Sequence, residues 1–355
     1  MTIKVLIVDD SALVRSLLSE IIRKAPGFSV VGVAPDAYVA RDMVNQFVPD
    51  VITLDIEMPR MDGLTFLEKL MTARPTPVVM ISTLTDAGAD ATLHALELGA
   101  VDFIPKPKLG IAEGLREYSE LIIEKLGAAA RVRVRPLIKK SNHQLIKDDQ
   151  KILASRVSGT EKIIAIGAST GGTEAIKELL LQLPAAVPGI VMTQHMPAGF
   201  TKSFAERLNK LTRLHVSEAK GGERILPGHA YLAPGGFHLL VNRSGADYVI
   251  KLSESEPVHR HRPAADVMME SVAVAGGKNV LGVLLKGMGK DGAKGMLEIR
   301  NHGGYTFAQD EQSCVVYGMP KEAVNIGGVD RSVALEKMGD AILEKIKNMG
   351  GGNRL

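Results

Sequence analysis

Short aliphatic runs, each followed by a polar or charged residue and then by a helix-period segment, recur along almost the whole of this chain. In residues 1–126 the runs lie at 4–8, 29–33, 51–54, 77–81 and 101–104. Helical patterns occupy 12–24, 36–46, 63–73, 88–98 and 112–126. Strict alternation of strand and helix leaves little choice of fold. Successive strands lie parallel, and the helices cover both faces of the sheet. Strands buried on both faces read as continuous apolar runs, as these do. Tryptophan is absent and aromatic residues make up only 4% of the chain, so Val, Ile, Leu, Met and Ala must fill the cores.

The alternation stops and then resumes. Residues 127–160 carry eight Lys or Arg against two Asp and no sustained apolar period. A period-two stretch beginning at Arg131 meets Pro136, which is linker rather than strand chemistry. Beyond it, strand signals fall at 163–167, 190–194, 214–217, 230–233, 238–241, 248–252, 280–285 and 305–308. Helix signals fall at 173–182, 200–210, 264–274, 292–301 and 332–347. A chain of 355 residues suits two domains at roughly 150 residues each. The expected organisation is α/β, with two doubly wound parallel-sheet domains at 1–126 and 161–347 and a basic linker at 127–160 between them.

Charge and cysteine content narrow the function classes. The formal net charge is +3, and the linker alone holds more positive charge than that, so the two domains together are slightly acidic. No nucleic-acid partner is expected from such a balance. Cys314 is the single cysteine, which excludes an intrachain disulfide or a multi-cysteine metal site; a small apolar core residue is the expected role. The first apolar run reads as a strand rather than a signal peptide, and the run at 279–285 is too short to span a bilayer. A cytoplasmic protein without membrane insertion is expected, with a monomer as the default state.

Ligand sites in open α/β sheets form outside the carboxyl ends of the strands. In the first domain Asp9 and Asp10 end the first strand and Asp55 ends the third, which is adjacent in a doubly wound sheet. Three carboxylates so close repel one another, and a hard divalent cation such as Mg²⁺ relieves that cost. Ser82 ends the fourth strand and Lys106 the fifth. A carboxylate nucleophile, a metal and a lysine make a phosphoryl-transfer site. The stretches VLIVDDS at 5–11, LDIEMPRMDG at 54–63 and DFIPKP at 102–107 resemble the receiver domain of bacterial response regulators, a flavodoxin-like fold. That resemblance implies that Asp55 accepts phosphate from a histidine kinase. It also implies that Asp9 and Asp10 help to hold Mg²⁺ and that Ser82 and Lys106 contact the phosphoryl group. Phe103 falls at the family's aromatic switch position and lacks a hydroxyl, so any switching there works by packing.

In the second domain, the buried run Ile163–Ile166 leads into Gly167-Ala168-Ser169-Thr170-Gly171-Gly172. The spacing Gly-x-Ser-x-Gly suits a tight turn that exposes a hydroxyl, with amides and a helix N-terminus available to an oxyanion. Alone, a serine here is more often a helix cap. His195 is the one histidine of nine that directly follows a strongly apolar strand. Asp291 lies just before the helix that follows the run ending at Leu285; taken alone, it also reads as a cap. Together the three strand ends offer the groups of an acyl-transfer triad. Their chain order, Ser…His…Asp, differs from the Ser…Asp…His of α/β-hydrolases. His259 and His261 read as a substrate or structural loop rather than a metal site, since no third soft ligand is placed near them in the sequence.

The motifs GASTGG at 167–172, QHMP at 194–197, HRHRPAADVM at 259–268, GMGKDGA at 287–293 and QDEQSCVVYGMP at 309–320 resemble those of the chemotaxis protein-glutamate methylesterases, the CheB family. The resemblance implies a Rossmann-like methylesterase domain without a cofactor and a triad of Ser169, His195 and Asp291. Thr170 and the Met288 backbone would lie nearby. It further implies hydrolysis of glutamate methyl esters, with glutamine deamidation as a companion activity, on methyl-accepting chemoreceptors. The phosphodonor would be a chemotaxis histidine kinase. Arg260 and Arg262 are candidates to contact an acidic receptor surface. An unphosphorylated receiver that partly covers the esterase site, opened by phosphorylation of Asp55, is part of what the family implies. Lys286 departs from the expected pattern, which has threonine before GMG; its charge either tunes substrate binding or points to solvent.

Three other readings compete. A dinucleotide-binding oxidoreductase fails on Ser169, which replaces the second glycine of the fingerprint, and on Pro320, which interrupts a helix between Tyr317 and Lys321. A DNA-binding output domain lacks a basic recognition face. A receptor-binding pseudoenzyme would show a broken triad, and all three groups are present here.

Overall fold

The structure is a computed structural model that describes residues 2–83, 85–106, 115–134, 136 and 161–349. From 137 to 160 the expected linker lies outside the described residues, as does Arg135. The chain divides into two compact units, Met1–Leu145 and Ile146–Leu355.

The first unit runs β1 (Ile3–Val8), α1 (Ala12–Lys24), β2 (Phe28–Ala34), α2 (Ala37–Phe47), β3 (Val51–Asp55), α3 (Gly63–Ala73), β4 (Val78–Ser82), α4 (Asp86–Glu97), β5 (Asp102–Pro105) and α5 (Leu115–Ala129). The strands form one parallel sheet in the order β2-β1-β3-β4-β5. β1 and β3 are neighbours with Val8 beside Leu54, so Asp9 and Asp55 emerge side by side. Residues 5–8, 51–55 and 78–82 are buried throughout, as strands sandwiched between helices must be. The helices begin on polar caps: Ser11, Asp36, Asp62 and Thr85 each accept a backbone N–H in the first turn. The chain stays packed after the last helix, with Val132 still buried.

The second unit is built on β6 (Ile163–Ala168), α6 (Gly172–Gln182), β7 (Gly189–Gln194), α7 (Phe200–Leu211), β8 (His215–Glu218), β9 (His229–Leu232), β10 (His238–Ser244), β11 (Asp247–Ser253), α8 (Ala265–Gly276), β12 (Val280–Leu284), α9 (Ala293–Asn301), β13 (Tyr305–Gln309), α10 (Met319–Asn325), β14 (Arg331–Val333) and α11 (Leu335–Asn348). Seven of these strands form a parallel sheet in the order β14-β13-β12-β6-β7-β9-β8. From β6 the chain winds first toward β7 and later toward β12, so the topological switch point lies beside β6.

Two departures from the sequence reading concern strands of the second unit. The strands expected at 238–241 and 248–252 do not enter the parallel sheet. They pair with each other as an antiparallel ribbon, Ser244 opposite Asp247, because only Gly245 and Ala246 separate them, and so short a loop permits only a hairpin. Gly245 takes the left-handed φ of +60° that such a turn demands. The helix expected from 332 instead starts at Leu335, because Arg331–Val333 add a short edge strand beside Phe307–Gln309.

α8 covers β6 at close range. A Cβ built on Gly167 would stand 2.9 Å from Ala265 Cβ and 3.0 Å from Leu284 Cδ1, so glycine permits the approach. The same core gathers Ile163, Val272, Val280 and Met296. This packing fixes the N-terminus of α8 against the carboxyl ends of β6 and β12.

Candidate functional site

In the first unit, ligand oxygens of Asp9, Asp10 and Asp55 lie within 4.8 Å of one another. Asp9 and Asp55 are buried and Asp10 is exposed. Lys106 Nζ donates to Asp55 Oδ2 at 2.7 Å and stands 3.8 Å from Asp9 Oδ2. Burial pushes the Asp55 carboxyl up to about 6, with Asp9 adding to the rise and Lys106 opposing it. Burial likewise raises Asp9. Asp9 Oδ2 is fully buried and has no hydrogen-bond partner among the described residues. An orphaned carboxylate oxygen among two other acids fits a hard cation such as Mg²⁺.

Ser82 is buried at the end of β4, as expected, but its hydroxyl is engaged with α4. It donates toward Gly88 O and accepts from Thr92 Oγ1 at 2.7 Å. Phe103 is packed inward, with the Lys125 ammonium 5.5 Å from its ring centre. Sequence reasoning missed Arg15, which donates to the carbonyls of Asp9 and Asp10 at 2.8 Å each and so braces the acidic loop.

In the second unit, Ser169, His195 and Asp291 leave the carboxyl ends of β6, β7 and β12, which are neighbouring strands. Ser169 Oγ lies 3.0 Å from His195 Nδ1, and His195 Nε2 lies 2.6 Å from Asp291 Oδ2. A carboxylate only accepts, so Nε2 carries the ring hydrogen and Nδ1 is free to take the serine proton. All three side chains are largely buried. The turn that presents Ser169 is closed by Gly172 N–H donating to Ser169 O at 2.6 Å, with Gly171 at φ +72°. Gln194 Nε2 also donates to Ser169 O, at 3.0 Å.

Asp291 proves to be a cap after all, but of a helix distant in sequence. Its Oδ2 accepts from Ala265 N, and its Oδ1 accepts from Asp266 N and from Gly292 N. Ala264, the cap residue of α8, offers no side-chain acceptor, and Asp291 takes its place. Burial alone would raise the Asp291 carboxyl. The His195 ring and the amides of Asp266 and Ala265 outweigh burial and hold it at about 2. One ionised carboxylate thus fixes both the helix end and the imidazole.

The loop read as substrate or structural brings His261 onto His195, ring centres 3.7 Å apart and planes 16° from parallel. His259 and Arg260 hold left-handed φ values of 51° and 67°, and Val258 and His261 exchange both backbone hydrogen bonds. The sequence showed no third soft ligand near these histidines, and the structure sets His259 beside the hard carboxylate oxygens of Asp266 and Asp291. The oxygens of both acids already accept protein N–H groups: Asp266 from His259 Nε2 and Gly295 N, Asp291 from the donors above. Arg262 donates to Glu254 O and Ser255 O and so ties down the loop, while Arg260 is exposed. Thr170 is buried beside Ser169. Met288 follows Gly287, where a built Cβ would stand 2.7 Å from Ser169 Cβ. Cys314 is partly buried, with its thiol pushed up to about 12 by burial, so it remains protonated near neutral pH. Lys286 does not point to solvent; it is 7% exposed.

Residues 164–342 match the family model described as CheB methylesterase, and residues 5–112 match the response regulator receiver domain. A Pseudomonas aeruginosa protein named protein-glutamate methylesterase/protein-glutamine glutaminase 2 is 60% identical, with both chains covered in full. A Methylobacillus flagellatus protein named protein-glutamate methylesterase/protein-glutamine glutaminase is 57% identical over 99% of each chain. Among solved structures, the Thermotoga maritima CheB methylesterase catalytic domain matches 53% of this chain and 99% of its own, at 39% identity and a TM-score of 0.51.

Proposed function

The chain belongs to the CheB methylesterase family, and from that premise we propose that it is a receiver-controlled serine hydrolase removing methyl groups from glutamate side chains of chemoreceptors. Deamidation of glutamine side chains at the same site is its companion activity. The observation that carries the reading is the unbroken relay from Ser169 Oγ through the His195 ring to Asp291, at 3.0 and 2.6 Å.

In this reading Ser169 Oγ attacks the γ-carbonyl carbon as its proton passes to His195 Nδ1. The carbonyl electron pair moves to oxygen. Asp291 holds the imidazolium that forms, through Nε2–H. On collapse, Nδ1–H protonates the departing methoxide, and methanol leaves the acyl-enzyme. Water then bonds the acyl carbon as its proton passes to Nδ1; the carbon–Oγ bond breaks, Nδ1–H returns the proton to Ser169 Oγ, and the glutamate acid leaves and ionises in solvent. With glutamine, the same steps release ammonia. Backbone amides of the Ser169 turn serve the oxyanion, each worth about 3–4 kcal/mol.

In the receiver unit, Asp55 is the phosphoacceptor and a chemotaxis histidine kinase the donor. Asp9, Asp10 and Asp55 would hold Mg²⁺, whose positive charge would offset the repulsion among the carboxylates and favour phosphoryl transfer to Asp55. Lys106 keeps Asp55 oriented and meets the incoming phosphoryl group. Ser82 would have to leave Gly88 and Thr92 to reach it. No helix among the described residues is long and apolar enough to cross a membrane. A cytoplasmic monomer acting on the cytoplasmic helices of receptors fits this reading.

Ser169→Ala tests the assignment. Methanol release from methylated receptor should fall to background, while Asp55 still accepts phosphate; persistent release would remove Ser169 from the mechanism.

A further inference from the structure

Among the described residues, Lys286 is the buried lysine beside the Ser169 turn whose charge the reaction above leaves unused. Its backbone frames the nucleophile: Lys286 O accepts from Ser169 N at 3.2 Å, and Lys286 N donates to Gln309 Oε1 at 2.9 Å. Its side chain lies across the turn. A Cβ built on Gly171 would stand 3.2 Å from Lys286 Cε and 3.8 Å from Nζ. Gly171 caps α6 without a side-chain acceptor, so the ammonium sits at the positive end of that helix.

Such a position is costly for a cation, and the protein offers it little relief. Among the described residues no hydrogen bond or ion pair to Nζ is found. The groups facing it are Glu174 and Glu178 of α6 and the Cys314 thiol. Glu174 is already paired with Lys177 at 2.6 Å, Glu178 is exposed, and Cys314 is neutral. Burial accordingly pulls the amine below the ordinary lysine value, with those three groups opposing the shift. A largely buried lysine whose ammonium has no ion pair among the described residues gives the resting protein little electrostatic stabilisation. Gly171 N–H is likewise without a partner among the described residues. Lys286 Nζ, the unpaired Gly171 N–H and the N-terminus of α6 thus lie together at the Ser169 turn.

We propose that Lys286 is an electrostatic element of the esterase site, its ammonium stabilising the negative charge that forms on the substrate's carbonyl oxygen when Ser169 attacks. This inference rests on the esterase reading above. The bond formed is Ser169 Oγ to carbon, the proton goes to His195 Nδ1, and the displaced electron pair comes to rest on oxygen within the field of Lys286. The charge matters most in the transition state and least in the free substrate, which is neutral at the reacting group. The effect therefore falls on kcat rather than on KM.

The test compares the full-length protein with Lys286→Met and Lys286→Arg. In methanol release at neutral pH, the Met variant should lose on the order of tenfold in kcat with KM little changed. The Arg variant should keep most of the activity. The wild-type rate should decline in alkali as Lys286 loses its proton, and that limb should be absent from Lys286→Met and displaced upward in Lys286→Arg. The Met variant should unfold at no lower a temperature than wild type, because its apolar side chain keeps the packing and the lysine has no ion pair among the described residues to lose. A structural role predicts the opposite pairing, so loss of activity together with loss of stability would overturn the proposal, as would an unchanged rate and pH profile. If wild type releases no methanol, the esterase reading falls by itself. The lysine is then read directly, by NMR titration of Cε-labelled lysine before and after a phosphonate ester has placed an anion on Ser169. A raised Lys286 titration point supports the proposal, and an unmoved one overturns it.

Discussion

Replacing Asp291 by Asn tests how much of the site hangs on one carboxylate. Its two oxygens accept four N–H groups: His195 Nε2 and Ala265 N at Oδ2, both at 2.6 Å, and Asp266 N and Gly292 N at Oδ1, at 2.9 and 3.0 Å. An amide has one acceptor oxygen. Whichever way it is turned, its NH₂ group faces at least one backbone N–H in a site that is 1% exposed. Leaving one or two buried donors unpaired costs about 1–3 kcal/mol each, so stability should fall by a few kcal/mol. If the NH₂ group faces His195, the ring must present a lone pair at Nε2 and carry its hydrogen on Nδ1. Nδ1 can then no longer take the serine proton, and a tautomer error of this kind lowers kcat by roughly four orders of magnitude. If the NH₂ group faces Asp266 and Gly292 instead, the N-terminus of α8 loses its cap and should shift. Methanol release and urea unfolding of Asp291→Asn, measured together, check both limbs. Activity within tenfold of wild type, with an unchanged unfolding midpoint, would refute the reasoning.

Acid should expose the same carboxylate. Asp291 titrates near 2 in the folded protein against an ordinary 3.8, so the unfolded chain takes up the proton first as pH falls. The stabilisation, about 2 kcal/mol, is complete above the ordinary carboxylate range and is lost as pH falls toward 2; the urea-midpoint gap between wild type and Asp291→Asn should narrow accordingly. Gly287→Ala would place a Cβ 2.3 Å from Met319 Sδ and 2.7 Å from Ser169 Cβ, so kcat should fall and stability drop by about 1–3 kcal/mol in thermal unfolding. Lys106→Met removes the 2.7 Å partner of Asp55, and labelling of the receiver by a small-molecule phosphodonor should slow at least tenfold while unstimulated methanol release is unchanged.

The parallel sheets were legible because each central strand is an unbroken aliphatic run, and β6, with every residue buried, is the clearest case. The strand-end rule then singled out as candidates Ser169 and His195, which the structure brings together, and Asp55 and Lys106, which it also brings together. It could not say what Asp291 binds, because the donors Ala265 and Asp266 lie about one helix away in sequence and their role depends on α8 crossing β6 at Gly167. The stack of His261 on His195 was hidden for a related reason. It rests on two left-handed residues, His259 and Arg260, neither of them the glycine that usually advertises such a turn. Lys286 was misjudged in one of its two readings. A lysine after an apolar run ordinarily reaches water, and here Gly171, lacking a side chain, leaves room for its stem to stay inside. The β10–β11 ribbon could have been recognised from its two-residue Gly245-Ala246 loop, which is too short for a parallel crossover.

In the proposed function, the phosphorylation state of Asp55 in the first unit sets the rate of the serine hydrolase in the second. Methanol release from methylated receptor by the full-length protein, with and without a phosphodonor, measures it most directly. The rate should rise with the phosphodonor in wild type, stay at its unstimulated level in Asp55→Asn, and vanish in Ser169→Ala under both conditions. A wild-type rate indifferent to the phosphodonor while Asp55 is demonstrably phosphorylated would contradict the claim.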